Sequence, residues 1–273
     1  MGNVWDRTSE VLSGRGGMLA GIAALTLFLP GAINAAYVAY APVGPLRSVV
    51  ALVLLLVVTV AGVWGQLAII AASTDPATTR PAAQARATER LLPAIGVVFV
   101  LGILFTVLFL PAIVLMMMSG INFSAIANGV PTAPTAAGPM AVAGLYMLVL
   151  VVALLFVGAR LLPLYAVVLH ERLGLGAIAR AWRLTRRHTW RLFGAVVLFG
   201  IVLLIATWAA QAVVGLIAAL LLGGDSAATI GFVGRLAGQA ASTALTLVAI
   251  VFSAQAYVAF RAREAALQAR AAA

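Results

Sequence analysis

An all-α, polytopic membrane fold is predicted by three observations: six apolar stretches long enough to cross a bilayer, a composition too hydrophobic for a soluble core, and arginine gathered into alternate connections. Hydrophobic residues fill 64% of 273 positions and mean hydropathy is +1.15, against roughly 45–50% apolar residues in soluble domains. Runs near residues 18 to 40, 48 to 72, 92 to 118, 140 to 169, 192 to 222 and 229 to 260 reach the about 20 helical residues that ~30 Å of hydrocarbon requires. A closed β-barrel is the other spanning solution, but it needs short alternating segments, and the run 49 to 60 does not alternate.

The first apolar run follows Arg7 and Arg15 and ends in Pro30-Gly31-Ala32-Ile33-Asn34-Ala35-Ala36. Cleavage there as a signal peptide is disfavoured, because Ile33 or Asn34 would fall where a small residue is wanted, and Asp6 and Glu10 dilute the positive start. It is read as a retained span. The connection 41 to 47 holds Pro42, Gly44 and Pro45 and predicts a tight turn, making the first two spans a hairpin. The uncharged connection from Ser119 to Pro139 is rich in Gly, Pro, Ala and Thr and predicts an exposed loop with little structure.

Arginine supplies the orientation. Arg7 and Arg15, then Arg80, Arg86 and Arg90, then Arg172, Arg180, Arg183, Arg186, Arg187 and Arg191, then Arg261, Arg263 and Arg270 all fall on one side of the six-span plan. Only Arg47 and Arg235 fall on the other, with Arg160 inside the fourth span. The positive-inside rule makes both termini cytoplasmic. The formal charge of +10 therefore points to membrane phosphate rather than nucleic acid, because its carriers sit in short connections between spans. All 17 basic residues are arginine, which fits either selection for phosphate geometry or a GC-rich coding sequence. Cysteine is absent, which excludes disulfides, thiolate metal sites and cysteine nucleophiles.

An internal repeat underlies this plan. Trp5-x2-Thr8 with Gly17 aligns without gaps on Trp182-x2-Thr185 with Gly194, and Pro81 to Pro93 leading to Gly96 occupies the same place without the Trp. A single membrane domain over 1-273 is expected, built of three units (about 4-72, 79-170 and 174-260), each an interfacial amphipathic helix followed by a hairpin, with a tail at 261-273. The third leading helix is the most charged. At ~100° per residue, Arg180, Arg183, Arg187 and Arg191 fall in an arc of about 80°, with Ile178, Trp182, Thr185 and Thr189 opposite. That face is expected to sink into the acyl boundary while Arg180, Arg183, Arg186, Arg187 and Arg191, with Trp182, bind anionic lipid headgroups.

Arg160-x2-Pro163-x7-Glu171-x-Leu173, followed by Ala181-Trp182-Arg183-Leu184-Thr185-Arg186 and Trp190-Arg191-Leu192, resembles the glycerophosphoryl diester phosphodiesterase membrane-domain family, including the YciC-like bacterial inner-membrane proteins. The match is sharpest over 155 to 200. It implies a multi-pass protein of the bacterial inner membrane. The enzymatic name belongs to relatives fused to a soluble barrel, and no hydrophilic segment here is large enough to build one.

Catalytic chemistry finds few groups to work with. Seven acids and two histidines are scattered, and the adjacent His170 and Glu171 point about 100° apart on a helix, which does not make a ready ligand pair. Glu171 is expected to pair with an arginine at the membrane border. No glycine-rich phosphate loop with lysine occurs. No catalytic residue, metal or cofactor is expected.

Two intramembrane features remain. Arg160, about one bilayer thickness along its span, either snorkels to the interface or serves as a buried functional charge, and Pro163 just beyond is expected to turn the helix along the surface. On the last span Arg235, Gln239, Ser242, Thr246 and Ser253 form one polar seam, flanked by Gly231, Gly234, Gly238 and Ala241. The seam either packs helices or lines a cavity, and Asn34, Gln66 and Gln211 stand on other spans to converge on it. Gly17-x3-Gly21 suggests close packing of the first span, and Pro30 and Pro111 kinks in the first and third. The favoured function is a non-catalytic membrane protein whose basic helices engage anionic lipid; the alternative is a transporter or channel for a small solute or lipid along the seam.

Overall fold

The computed structural model describes residues 2–42, 45–123, 125, 132–186, 189–223 and 226–272. The elements are α1 (Gly2–Ala23), a π-helical turn (Ala24–Phe28), α2 (Leu29–Tyr40), α3 (Pro45–Thr74), α4 (Arg80–Met118), α5 (Ala137–Arg160), α6 (Leu164–His170), α7 (Gly176–Thr185), α8 (Thr189–Leu222) and α9 (Ala227–Ala272). Gly2–Tyr40, Leu46–Thr74, Arg80–Met118, Ala137–His170, Thr189–Leu222 and Ala227–Ala271 are each long and apolar enough to cross a membrane. The protein is all-α and polytopic, and its described residues contain no strand.

The spans follow one another around a ring. The α1–α2 rod packs on α3, α3 on α4, α4 on α5, α5 on α8 and α8 on α9, which returns to α1 and α2 and also reaches across to α3. Consecutive spans lie side by side, as consecutive elements usually do, and the connections α2–α3, α3–α4 and α8–α9 are short enough to require it. The buried core is gathered at one end: Leu19 and Ile22 of α1, Leu67 to Ala72 of α3, Ala83, Ala87 and Val97 of α4, all of α6 but its partly covered Tyr165 and exposed His170, and Val251 and Ala254 of α9. Alanine recurs in it because small side chains let helix backbones approach where dispersion contacts and hydrogen bonds, rather than water exclusion, hold helices together. At mid-span the surfaces reverse, with Leu52, Leu55, Phe99, Ile103, Leu204 and Trp208 facing outward. Such an apolar perimeter is stable in lipid and not in water.

The repeat has a counterpart in burial. Thr8, Ala87 and Thr185 occupy equivalent positions and all are buried. Thr8 donates to Val4 O at 2.7 Å and Thr185 to Ala181 O at 3.0 Å, each back-bonding one turn within its helix. The leading segments differ in continuity, however. In the first two copies the basic segment is simply the start of a long helix, α1 or α4, and only α7 is a separate helix. Pro93, which closes the second leading segment, and Pro111 lie inside an uninterrupted α4. Gly17 and Gly21 have nothing close to them, so the expected tight approach there does not form. It forms instead at Gly65 of α3, where any Cβ would overlap the Thr26 side chain of the π turn.

At the described helix breaks, side chains supply hydrogen bonds to the exposed backbone. Ahead of Pro30, which has no N–H to give, the helix widens to the π turn, and Thr26 donates to Ile22 O at 2.8 Å. At the α3–α4 turn, Arg15 donates to Ala72 O (2.6 Å), Asp75 O (3.2 Å) and Thr78 O (3.1 Å), and also to Pro76 O. A guanidinium across a helix C-terminus meets both the orphan carbonyls and the negative end of the helix dipole. The Asp75 carboxylate in the same turn is held below its ordinary range, first by the Ala77 N–H and then by the Thr78 hydroxyl. Pro163 ends the fourth span as expected, but the chain does not then lie along the surface. Leu161 to Pro163 form a turn and α6 folds into the core, burying Leu164, Val167 and Val168. An apolar heptapeptide lacking a polar face has no reason to stay at an interface. The uncharged loop is tied at its base, where the Thr135 and Ala136 amides donate to Ser119 O at 2.8 and 3.2 Å.

Gly65→Val is expected to lower stability by about 1–3 kcal/mol through overpacking against Thr26. Gly62→Ala, whose nearest neighbour would stand 3.9 Å away, should change it little. Thermal unfolding of both variants in mild detergent checks the contrast.

Candidate functional site

The arginine-rich segment is organised differently from a helix floating on lipid. The buried face of α7 is Ala177, Ala181 and Thr185, spaced by four and docked on α6. Arg180 turns inward. Its Nε donates to Glu171 at 2.8 Å, and its two terminal nitrogens grip Glu264 of α9 at 2.8 and 2.5 Å. With its donors committed to two carboxylates, Arg180 leaves the expected headgroup set. Sequence spacing could not find this, because Glu264 lies in the C-terminal part of α9. Glu171 pairs with arginine as expected: besides Arg180 it accepts from Arg261 at 3.2 Å and from the Tyr257 hydroxyl at 3.3 Å. His170, its neighbour in sequence, meets the ring of the same Tyr257. The two rings stack with centroids 5.6 Å apart, and the imidazole lies 3.1 Å from Thr74 Oγ1.

The continuous arc of arginines is also broken. α7 stops at Thr185 and α8 begins at Thr189, so Arg191 belongs to a different helix from Arg183. Arg187 lies outside the described residues. Arg183 is exposed and does not line the cleft described next.

Arg160, Arg186, Arg191 and Arg263 instead converge from four separate parts of the chain on a cleft of about 570 Å³, with Phe156, Thr189 and Trp190. No acid lines it. An aromatic group forms its wall: Phe156 meets Trp182, Trp190 and Phe193 at centroid distances of 6.4, 6.5 and 6.4 Å. Arg160 lies across that wall, 4.7 Å from the Trp182 centroid and 5.5 Å from that of Phe156. Cation–π contact of this kind retains the charge while covering the planar face. Trp182, itself exposed, thus helps to orient Arg160 at the cleft. The Thr185 hydroxyl, with one proton shared between Ala181 O and Arg160 O, each 3.0 Å away, reaches a carbonyl left over where α5 ends. The Arg160 Nε is buried with no partner among the described residues. A four-arginine cleft with an aromatic wall suits a phosphate group attached to an apolar body.

The polar seam divides. Arg235, Gln239 and Ser242 line a second cavity of about 270 Å³ between α2, α8 and α9, joined by Asn34, Thr207 and Gln211. Gln66 and Arg160 lie elsewhere. Thr246 is partly buried and outside the cavity, and Ser253 back-bonds to Ile250 O at 2.8 Å. Gly234 and Gly238 allow the expected approach to α8: a Cβ at Gly234 would come within 3.1 Å of Gln211 O, and one at Gly238 would overlap the Gln211 side chain. Spacing revealed this part of the site. Thr207, and Gly31 facing Gln239, were not visible in sequence because their partners sit on distant helices.

Fold and sites together define a polytopic α-helical membrane protein with a basic cleft at one end and a polar cavity toward the other. The chain belongs to the family described as "Domain of unknown function (DUF7847)", whose model matches residues 6–263. That description assigns no activity and does not link the chain to the phosphodiesterase membrane-domain family that residues 155 to 200 resemble. No curated protein and no solved structure matches.

The Arg180 junction yields a stability test. Arg180→Leu and Glu264→Gln should each cost about 1–3 kcal/mol, the range for charge-assisted hydrogen bonds, and the double variant should lose less than the sum. Unfolding midpoints of the four proteins in one detergent complete the cycle.

Proposed function

We propose that the protein is a non-catalytic bacterial inner-membrane protein, with both termini cytoplasmic, that engages anionic lipid headgroups through its basic cleft and so organises lipid or a membrane complex. The observation that carries this reading is the convergence of Arg160, Arg186, Arg191 and Arg263 beside exposed Trp190, with no acid among the lining residues. Tryptophan is enriched at the headgroup level, and guanidinium groups grip phosphate bidentately. The orientation follows from charge, since fourteen arginines fall on the side of the cleft. Lipid phosphate is thus the expected partner and no nucleic acid is required.

Transport is the second reading, favoured by the convergence of Asn34, Gln211 and Gln239 on one cavity. Against a continuous route, Ser242 and Arg263 on α9 are about 30 Å apart along the helix, and Leu247, Ile250, Val251 and Ala254 are buried between them. Binding at separate places accounts for that pattern better than conduction.

The full-length protein in nanodiscs of mixed phosphatidylglycerol and phosphatidylcholine should enrich the anionic lipid. Arg186→Gln combined with Arg191→Gln should reduce that enrichment about tenfold to thirtyfold, at about 1 kcal/mol for each charge near the surface. Equal enrichment in the variant would sink the headgroup role. For orientation, single cysteines at Ala133 and Arg183 are read in intact cells with an impermeant thiol reagent. Labelling of position 133 alone is expected, and labelling of 183 alone would invert the topology.

A further inference from the structure

The cavity between α2, α8 and α9 poses an energetic problem that the basic cleft does not solve. Arg235 lies about 12 Å and Gln239 about 18 Å from the start of α9, within a helix apolar enough to span a membrane. Polar and charged side chains at such depth are costly unless partnered. Yet the lining residues make one side-chain hydrogen bond among the described residues, from Gln239 Nε2 to Leu27 O at 3.2 Å. Asn34, Thr207, Gln211, Arg235 and Ser242 thus present unused donors and acceptors to one space. The described acids, Asp6, Glu10, Asp75, Glu89, Glu171 and Glu264, all belong to the opposite end of the bundle, so none of these six stands opposite the Arg235 charge; Asp225 lies outside the described residues.

The walls hold these groups in position. Gly31 on α2 and Gly238 on α9 sit where a Cβ would overlap the Gln239 and Gln211 amides respectively. Each glycine lets an amide lie flat against the facing helix, which fixes its direction into the cavity. At about 270 Å³ the space falls below the roughly 300–1,000 Å³ of pockets that enclose a whole drug-sized ligand. It is large enough for a headgroup whose tails remain in the bilayer.

We propose that this cavity binds the glycerol-phosphate headgroup of an anionic phospholipid entering sideways from the leaflet opposite the basic cleft. Arg235 takes the phosphate, as a guanidinium at the shallow edge of the cavity can. The Asn34, Gln211 and Gln239 amides and the Ser242 hydroxyl, one turn or more from it, take the glycerol hydroxyls. Amides and hydroxyls both donate and accept, as a polyol requires. A choline headgroup offers no hydroxyl to these amides and brings a cation toward Arg235, so it is excluded. This site is independent of the headgroup reading of the basic cleft, and either can fail alone.

The test uses the full-length protein in nanodiscs doped with phosphatidylglycerol that carries a photoactivatable group near the headgroup, with cross-links mapped by mass spectrometry. Cross-links within residues 31–38, 207–211 or 235–242 report this cavity, and those within 186–191 report the basic cleft. Cavity cross-linking is expected, with at least a fivefold loss in Arg235→Gln and in Asn34→Leu. Either variant suffices if the other does not fold. Unlabelled phosphatidylglycerol should compete, while phosphatidylcholine and millimolar inorganic phosphate should not. Retention of cavity cross-links in a folded variant would show that Arg235 only snorkels to the interface and would overturn the proposal. Competition by inorganic phosphate would overturn its lipid source, and competition by phosphatidylcholine its headgroup selectivity.

Discussion

Hydrocarbon cannot hydrogen-bond a peptide group, and at the described breaks in this chain's helices that constraint is met by side chains brought in from other parts of the bundle. At the α3–α4 turn the exposed carbonyls are gathered by one side chain, Arg15, from a different span. Where α5 ends ahead of Pro163, Thr185 donates to Arg160 O. At the π turn Gln239 reaches Leu27 O, and near the end of α3 Gln255 donates to Ser73 O at 2.7 Å. These contacts come from residues far away in sequence. They tie each irregularity to the ring of spans, so the breaks become the points at which tertiary structure is specified.

The same constraint explains where the core lies. Irregular backbone and charge concentrate at the basic end, and there the helices are pressed together by buried alanines and by the Glu171–Arg180–Glu264 junction. Toward the other end the helices expose Leu and Val to lipid, which costs nothing in that solvent. Polarity in the lipid-exposed half then stands out, and the Arg235 cavity is its main instance. The two polar sites are separated along α9 by the buried Leu247, Ile250, Val251 and Ala254.

How much was legible in the sequence depended on the range of the signal. Six spans, their order and the grouping of arginine follow from composition read locally, and the structure keeps them. The polar seam was legible because helical spacing alone aligns Arg235, Gln239 and Ser242. Whether it packs helices or lines a cavity was left open by the sequence, and of the three candidates Asn34, Gln66 and Gln211 only the first and last arrive at it. The arc of Arg180, Arg183, Arg187 and Arg191 shows the limit most clearly. Helical periodicity drew it as one surface, but the chain breaks between Thr185 and Thr189 and Glu264 claims Arg180.

By itself the sequence determined the solvent of this protein, its number of spans and the end at which its charge collects, because each is a sum over residues near one another in the chain. The tertiary structure alone decided which arginines line the cleft and that Arg180 is held between Glu171 and Glu264. It decided equally that α6 is core rather than surface, and that part of the seam lines a cavity. Those outcomes turn on pairings such as Arg180 with Glu264, 84 residues apart, and Gln239 with Leu27, 212 apart, and hydrogen-bond and ion-pair partners are chosen by distance in space.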